Sequence, residues 1–187
     1  MKYNNELKKA FQVSIPVMMG YSVLGFAFGL LLVSFEYSWY LAPLMSLFIY
    51  AGALQFVAIS FFNVKAGMID IAIASWFVNI RQSFYGLSLL KRFKDTGKLK
   101  SYLIFGLTDE TYALLTTIKD DNKLNKKWYY FFLTALNQSY WFIGSTLGAI
   151  VGSNIKFNTT GLEFSLTALF VVLCIEHYKI LRRYLIE

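Results

Sequence analysis

Long apolar runs broken by short polar clusters set the pattern of this chain. Apolar residues dominate from about Ala10 to Ser34, Trp39 to Phe62, Gly67 to Leu90, Ser101 to Ile118, Trp128 to Gly152 and Gly161 to Ile175. A helix rises about 1.5 Å per residue and a bilayer core is about 30 Å thick, so runs of this length read as membrane-crossing helices. The pattern predicts an all-α, polytopic membrane helix bundle with about six apolar segments. Residues 1–187 are expected to form a single integral membrane domain, multi-pass in the cell membrane.

The polar positions inside these runs carry the chemistry. Arg81 sits deep in the third run, in Asn79-Ile80-Arg81-Gln82, and the next run holds Thr108-Asp109-Glu110-Thr111-Tyr112 about halfway along. A charge at the bilayer centre costs roughly 2.5 to 3.5 kcal/mol on insertion scales, so Arg81, Asp109 and Glu110 left charged and unpaired would cost roughly 8 to 10 kcal/mol by simple addition. Pairing or protonation is therefore required. The expectation is that Arg81 meets the Asp109/Glu110 pair inside the membrane and marks a transport pathway.

Helical geometry refines this picture. At about 100° per residue, Ser75, Asn79, Gln82 and Gly86 share one stripe while Arg81, Tyr85 and Ser88 point nearly opposite. Both faces must then be covered by protein, or the helix is broken there, and either outcome makes this run central. Thr108, Asp109, Tyr112 and Thr116 share a face of the following run. Asp109 and Glu110 lie about 100° apart on a continuous helix, so Asp109 is expected to line the cavity and Glu110 a neighbouring contact.

Breakers and small residues mark a second set of positions. The first run carries Pro16, Gly20, Gly25 and Gly29, where Gly25 and Gly29 form a G-x-x-x-G pair suited to close helix approach. Pro16 to Gly20 reads either as packing or as an unwound, site-lining stretch. In Tyr50-Ala51-Gly52-Ala53-Leu54-Gln55-Phe56 small residues flank one amide, with Gln55 either structural glue between helices or a ligand. Gly25 with Gly144, Gly29 with Gly148, Ser46 with Ser165 and Leu47 with Leu166 echo one another at one common offset, which reads either as an internal repeat or as a coincidence of common residues.

Composition and charge narrow the class. The chain is 57% hydrophobic and 19% aromatic, with a mean hydropathy of +0.49, more apolar surface than a soluble domain of this length buries. Its net charge of +7 gathers between the apolar runs and at the ends, where it meets anionic lipid head groups rather than nucleic acid. Cys174 lies in an apolar run and reads as a small buried residue; His177, at a segment end beside basic residues, reads as interfacial. Lys8 and Lys9 before an apolar run mimic a signal peptide, but no small-residue cleavage site follows and the run is too long. No metal or cofactor site is expected.

Topology by simple counting conflicts with charge. Six full crossings from a cytoplasmic amino terminus would put the basic loop Lys91–Lys100 outside, against the positive-inside rule. Placing both basic loops and both termini on one side requires the Asp109 segment to dip in and return, and one of the first three segments to do likewise. Such discontinuous or re-entrant helices are tolerated where they line a cavity.

Four motifs in order resemble the AzlC family, the large subunits of branched-chain amino acid exporters. They are Pro16 with Gly20, Gly25, Phe26 and Gly29; Tyr50 to Phe56; Asn79-Ile80-Arg81 with Tyr85-Gly86-Leu87-Ser88; and Thr108-Asp109-Glu110 with Tyr112-Ala113-Leu114. Gly161 to Phe170 is a looser fifth match. The resemblance implies ion-driven export of branched-chain or similarly apolar amino acids with a small AzlD-type membrane subunit, and leaves room for an oligomer. Gln82 stands where the family often has histidine, which argues against a histidine relay. Members commonly continue for further segments, so this chain is expected to lack the last of them or to lean more on its partner.

The expected pathway residues are Arg81, Asp109, Glu110, Asn79, Gln82, Gln55, Thr108, Tyr85 and Tyr112, with Pro16, Gly20, Gly25, Gly29 and Gly52 unwound or close-packing. Two other classes compete. An intramembrane enzyme would need a nucleophile and base or metal-ligand spacing, neither of which the single histidine and cysteine supply. A membrane scaffold would use the same charges only to specify assembly.

Overall fold

In the computed structural model the described residues are 3–117 and 124–155, with Phe164, Val171 and Ile175. The expectations for Cys174, for His177 and for most of the last apolar run lie outside them. The described residues are helical, without strand: α1 (Asn4–Ser34), α2 (Leu41–Phe48), α3 (Gly52–Asn63), α4 (Met68–Leu89), α5 (Leu99–Phe105), α6 (Asp109–Thr117) and α7 (Lys126–Asn154), with a 3-10 turn at Lys94–Thr96. Among them only α1, at 31 residues, is by itself long and apolar enough to cross a membrane. The second and fourth apolar runs each fold as two half-length helices.

The centre of the bundle is a parallel pair, α1 and α7. Glu6 Oε1 accepts from Asn125 N at 3.0 Å at one end, Ser14 and Tyr140 hydroxyls lie 3.0 Å apart midway, and Gly152 faces Leu30 and Val33 at the other. Glycine makes the approach possible. A Cβ on Gly25 would stand 3.0 Å from Trp141 O and Ser145 N, one on Gly29 2.5 Å from Ala149 N, and one on Gly148 would run into Phe26 O. Gly25 and Gly29 are close-packing positions, and their partners include the glycines that echo them in sequence. That echo is accounted for by two helices needing small residues on one shared seam.

Pro16 and Gly20 behave differently from the unwound reading. α1 runs unbroken through both, both are exposed, and a Cβ at Gly20 would meet nothing within 4 Å. Proline removes one backbone donor and bends a helix, but the turns on either side of Pro16 hold α1 together.

The breaks fall elsewhere. Between α2 and α3, Tyr50 has φ +22° and Ala51 is extended, and the chain turns back: Ser46 bonds Ser145 at 2.7 Å on the way in, Phe28 packs edge-on to Phe56 on the way out, and the Phe62 ring returns to Tyr37, 5.7 Å away. Between α5 and α6, Gly106-Leu107-Thr108 reverse the chain again. Leu103 and Leu115 thereby join one apolar cluster with Ala10, Phe93, Tyr129 and Tyr130, and Arg92 donates to both Tyr130 Oη and Leu115 O. Gly106 suits this close approach, since a Cβ there would force the Thr134 methyl of α7 to shift. The two helical hairpins thus enter from opposite ends, and their tips meet where the Tyr50 and Phe105 rings lie 6.4 Å apart.

This arrangement gathers charge. Lys8 and Lys9 before the middle of α1, Lys91, Lys94, Lys98 and Lys100 around the 3-10 turn, and Lys127 at the start of α7 share one end, while Glu36, Lys65 and Asp70 lie at the other. The α4 segment departs from its expected central place. It is unbroken, packs along α3, buries only Gly86 and Leu89, and exposes Met68, Ile69, Trp76, Phe77, Phe84 and Leu87. Neither its two-faced polarity nor its arginine required full protein cover, because Arg81 is reached from one side by the α5/α6 tip.

The seam predicts opposite outcomes for two glycines. Gly148→Ala forces a methyl against the α1 backbone and should lower stability by about 1–3 kcal/mol. Gly20→Ala, in open space on a helix, should be neutral or raise it by about 0.5–1 kcal/mol. Thermal unfolding in detergent of both variants checks the pair, and equal effects would contradict the seam.

Candidate functional site

The hairpin tips, α1, α4 and α7 line a partly open cleft. Its start lies in the way α6 begins. Thr108 ends the α5/α6 tip and caps α6, its Oγ1 accepting from Thr111 N at 3.3 Å. Asp109 and Glu110 follow in the first turn, where acidic residues are favoured by the helix dipole.

The two carboxylates, consecutive on α6 and so about 100° apart, reach different partners around one cleft, and both line it. Asp109 Oδ2 lies 2.7 Å from Arg81 Nη1, with both side chains about a quarter exposed, at 24% and 23%. Glu110 Oε2 lies 2.5 Å from Tyr21 Oη, which is also 2.7 Å from Thr108 Oγ1. Behind them Thr111 Oγ1 accepts from Asn137 Nδ2 at 2.9 Å, tying the tip to α7.

The other expected residues divide. Asn79, Gln82, Thr108 and Gly52 line the cleft with Arg81, Asp109 and Glu110. Gln55 does not: it is fully buried and its Oε1 accepts from Trp141 Nε1 at 2.7 Å, the structural role between helices. Tyr85 and Tyr112 lie outside the cleft lining and stack on one another at 4.3 Å, with Ser88 donating to Tyr112 Oη at 3.3 Å; they brace α4 against α6. Pro16, Gly20, Gly25 and Gly29 are also outside it.

Tyr21, Leu24, Tyr50, Ala51, Ala53 and Trp141 line the cleft without having been singled out as site residues. Tyr21 follows a glycine in a run otherwise read for its breakers, and Tyr50 opens a motif whose small residues drew attention to Gln55.

Half-length helices meeting around an ion pair, in so apolar a chain, define a helical membrane protein with a polar interior. The AzlC protein family matches residues 16–155, and the chain belongs to that family. An uncharacterized membrane protein of Helicobacter pylori strain 26695 is 46% identical over 92% of this chain and 75% of its own length. The branched-chain amino acid transport protein AzlC of Bacillus subtilis is 40% identical over 91% of this chain and 67% of its own length. The inner membrane protein YgaZ of Escherichia coli is 29% identical over 89% and 71%. No solved structure matches the chain. The family is one of membrane transport rather than of enzymes.

Removing one partner of a sheltered ion pair strands the other. Arg81→Gln alone should therefore lower stability by about 1–3 kcal/mol, and adding Asp109→Asn should restore part of the loss. A double-mutant cycle by thermal unfolding measures this, and strictly additive effects would show that the two groups do not couple.

Proposed function

We propose that this chain is the large subunit of a secondary transporter that exports branched-chain or similarly apolar amino acids, driven by an ion gradient and assembled with a small AzlD-type membrane subunit. The observation that carries the reading is the Arg81–Asp109 pair at 2.7 Å in a cleft between two hairpin tips. An ion pair at membrane depth is kept where it marks a pathway. The kinship with the Bacillus subtilis transport protein supports the substrate class.

In this reading α1, α4 and α7 cross the bilayer and the two hairpins enter from opposite faces, with the basic end cytoplasmic. Each hairpin stands between the cleft and one side of the membrane, so moving one opens the cleft inward and moving the other opens it outward. A cation arriving at Asp109 competes with Arg81, which couples the occupancy of the site to the packing of the α5/α6 tip against α4. A scaffold would need the ion pair for folding but not for flux, and so would tolerate a neutral pair.

Two measurements test this. In a Cys174→Ser background, Lys94→Cys should be labelled by a membrane-impermeant thiol reagent only from the cytoplasmic side and Lys65→Cys only from the outside; labelling of both from one side would defeat the hairpin topology. Vesicles holding the wild-type chain with its small subunit should release labelled valine, leucine, isoleucine or methionine down an imposed ion gradient. Asp109→Asn should reduce that efflux at least about tenfold, while assembly persists. Wild-type rates in Asp109→Asn would remove the coupling role, and no efflux of any of the four would remove the transport reading.

A further inference from the structure

We propose that the start of α3, together with the Tyr50 hydroxyl, receives the carboxylate of the transported amino acid, while Asp109 and Glu110 receive its ammonium. The inference rests on the amino acid reading above and specifies which atoms of the cleft bind which pole.

The first donors of any helix lack intrahelical partners and need a cap, water or a ligand. At the α5/α6 tip the sequence supplies the cap, since Thr108 Oγ1 accepts from Thr111 N. At the α2/α3 tip it does not. The residue before α3 is Ala51, which has no side-chain acceptor, and the first intrahelical bond is Gln55 N to Ala51 O at 2.9 Å. The backbone donors of Gly52, Ala53 and Leu54 precede that bond. Ala51 and Ala53 are only 5% and 7% exposed, so this helix start is sheltered as well as uncapped. It faces the cleft, lying against the Trp141 ring so closely that a Cβ on Gly52 would be 3.0 Å from it. Free N–H groups and a helix dipole there favour a negative group.

A second observation points the same way independently. Tyr50 lines this cleft, its residue only 3% exposed, and its buried hydroxyl, close to Tyr21, Thr108 and Glu110, completes no hydrogen bond with a described residue. A buried hydroxyl without a partner is expensive to leave so. Ligand binding would satisfy it together with the helix donors.

Charge then selects the ligand class. The cleft walls carry one guanidinium, Arg81, against two carboxylates, Asp109 and Glu110, so a simple anion is a poor match. A zwitterion fits both halves, its ammonium taking the surplus negative charge and its carboxylate the uncapped donors. The poles of an α-amino acid are separated by a single carbon, so the halves must adjoin, and Tyr50 adjoins the Tyr21, Thr108 and Glu110 cluster in the same cleft. Leu24 and Trp141 on the remaining wall suit an apolar side chain.

The test uses the full chain and compares L-leucine with L-leucinamide, which keeps the ammonium and side chain but lacks the carboxylate. Ala51→Asp supplies an internal acceptor for the α3 donors. It should leave the melting temperature of the ligand-free protein equal or higher, and weaken L-leucine binding at least about tenfold, while Tyr50→Phe weakens it several-fold. L-leucinamide should bind the wild type weakly and Ala51→Asp no worse. Amide exchange at Gly52 to Leu54 should slow with L-leucine and not with L-leucinamide, a readout independent of whether Ala51→Asp folds. Wild-type affinity in Ala51→Asp, or exchange unchanged by L-leucine, would overturn the subsite while leaving the transport reading intact. A wild-type chain that binds none of valine, leucine, isoleucine or methionine would remove both.

Discussion

The contact on which the architecture depends is the ion pair between Arg81 and Asp109. An arginine in the middle of an apolar helix has few affordable neighbours, and this one sits on α4, which is otherwise exposed on much of its surface. The carboxylate must therefore be brought to it. A continuous helix over the fourth apolar run would have left Asp109 and Glu110 in mid-helix, without the free backbone donors of a helix start. Breaking that run at Gly106 to Thr108 places both at the start of α6, where the backbone donors favour acidic groups and Tyr21 and Arg81 divide the two carboxylates between them.

Such a break inside an apolar run leaves backbone groups among apolar side chains, and it survives only against a rigid neighbour. The α1/α7 pair is that neighbour. Its glycine seam brings two long helices to backbone contact, which leaves the Trp141, Asn137 and Thr134 side of α7 free to receive both tips. Gln55 bonding Trp141 and Asn137 bonding Thr111 are thus the same device used twice, an amide or indole on a long helix anchoring a half-length one. The cleft is what remains between two anchored tips and the one helix that carries the cation.

The parts of this arrangement legible in the sequence are those with a large energetic penalty. Arg81 and Asp109 could be matched because neither is tolerable alone at that depth, and Gly25 and Gly29 because a four-residue glycine spacing has few other uses. The positions of the breaks were not legible. Pro16 drew the eye, but a proline in a long, well-supported helix is absorbed. Tyr50-Ala51, with no proline and one glycine after it, reads as ordinary apolar chain. What decides the break there is tertiary: Gly52 against Trp141 on one side and the α5/α6 tip on the other. Tyr85, Tyr112 and Gln55 stand just outside the cleft lining, the two rings stacked on one another and Gln55 Oε1 accepting from the Trp141 indole.

In the proposed membrane topology the same two reversals remove the conflict between segment count and charge. A hairpin contributes no net passage along the bundle, so α1 and α7 run parallel with only α4 returning between them, and the described basic residues at the start of α1, between α4 and α5 and at the start of α7 fall at one end. Had either hairpin been a full crossing alone, α7 would run antiparallel to α1, and the register from Glu6–Asn125 to Gly152 beside Val33 excludes that. Either both reverse or neither does. The Tyr37–Phe62 ring contact and the bonds from Arg92 to Tyr130 and Leu115 decide for both, because each joins the first and last residues of a hairpin at the same end of the bundle. Charge distribution, helix polarity and the meeting of the tips are therefore one constraint expressed three ways.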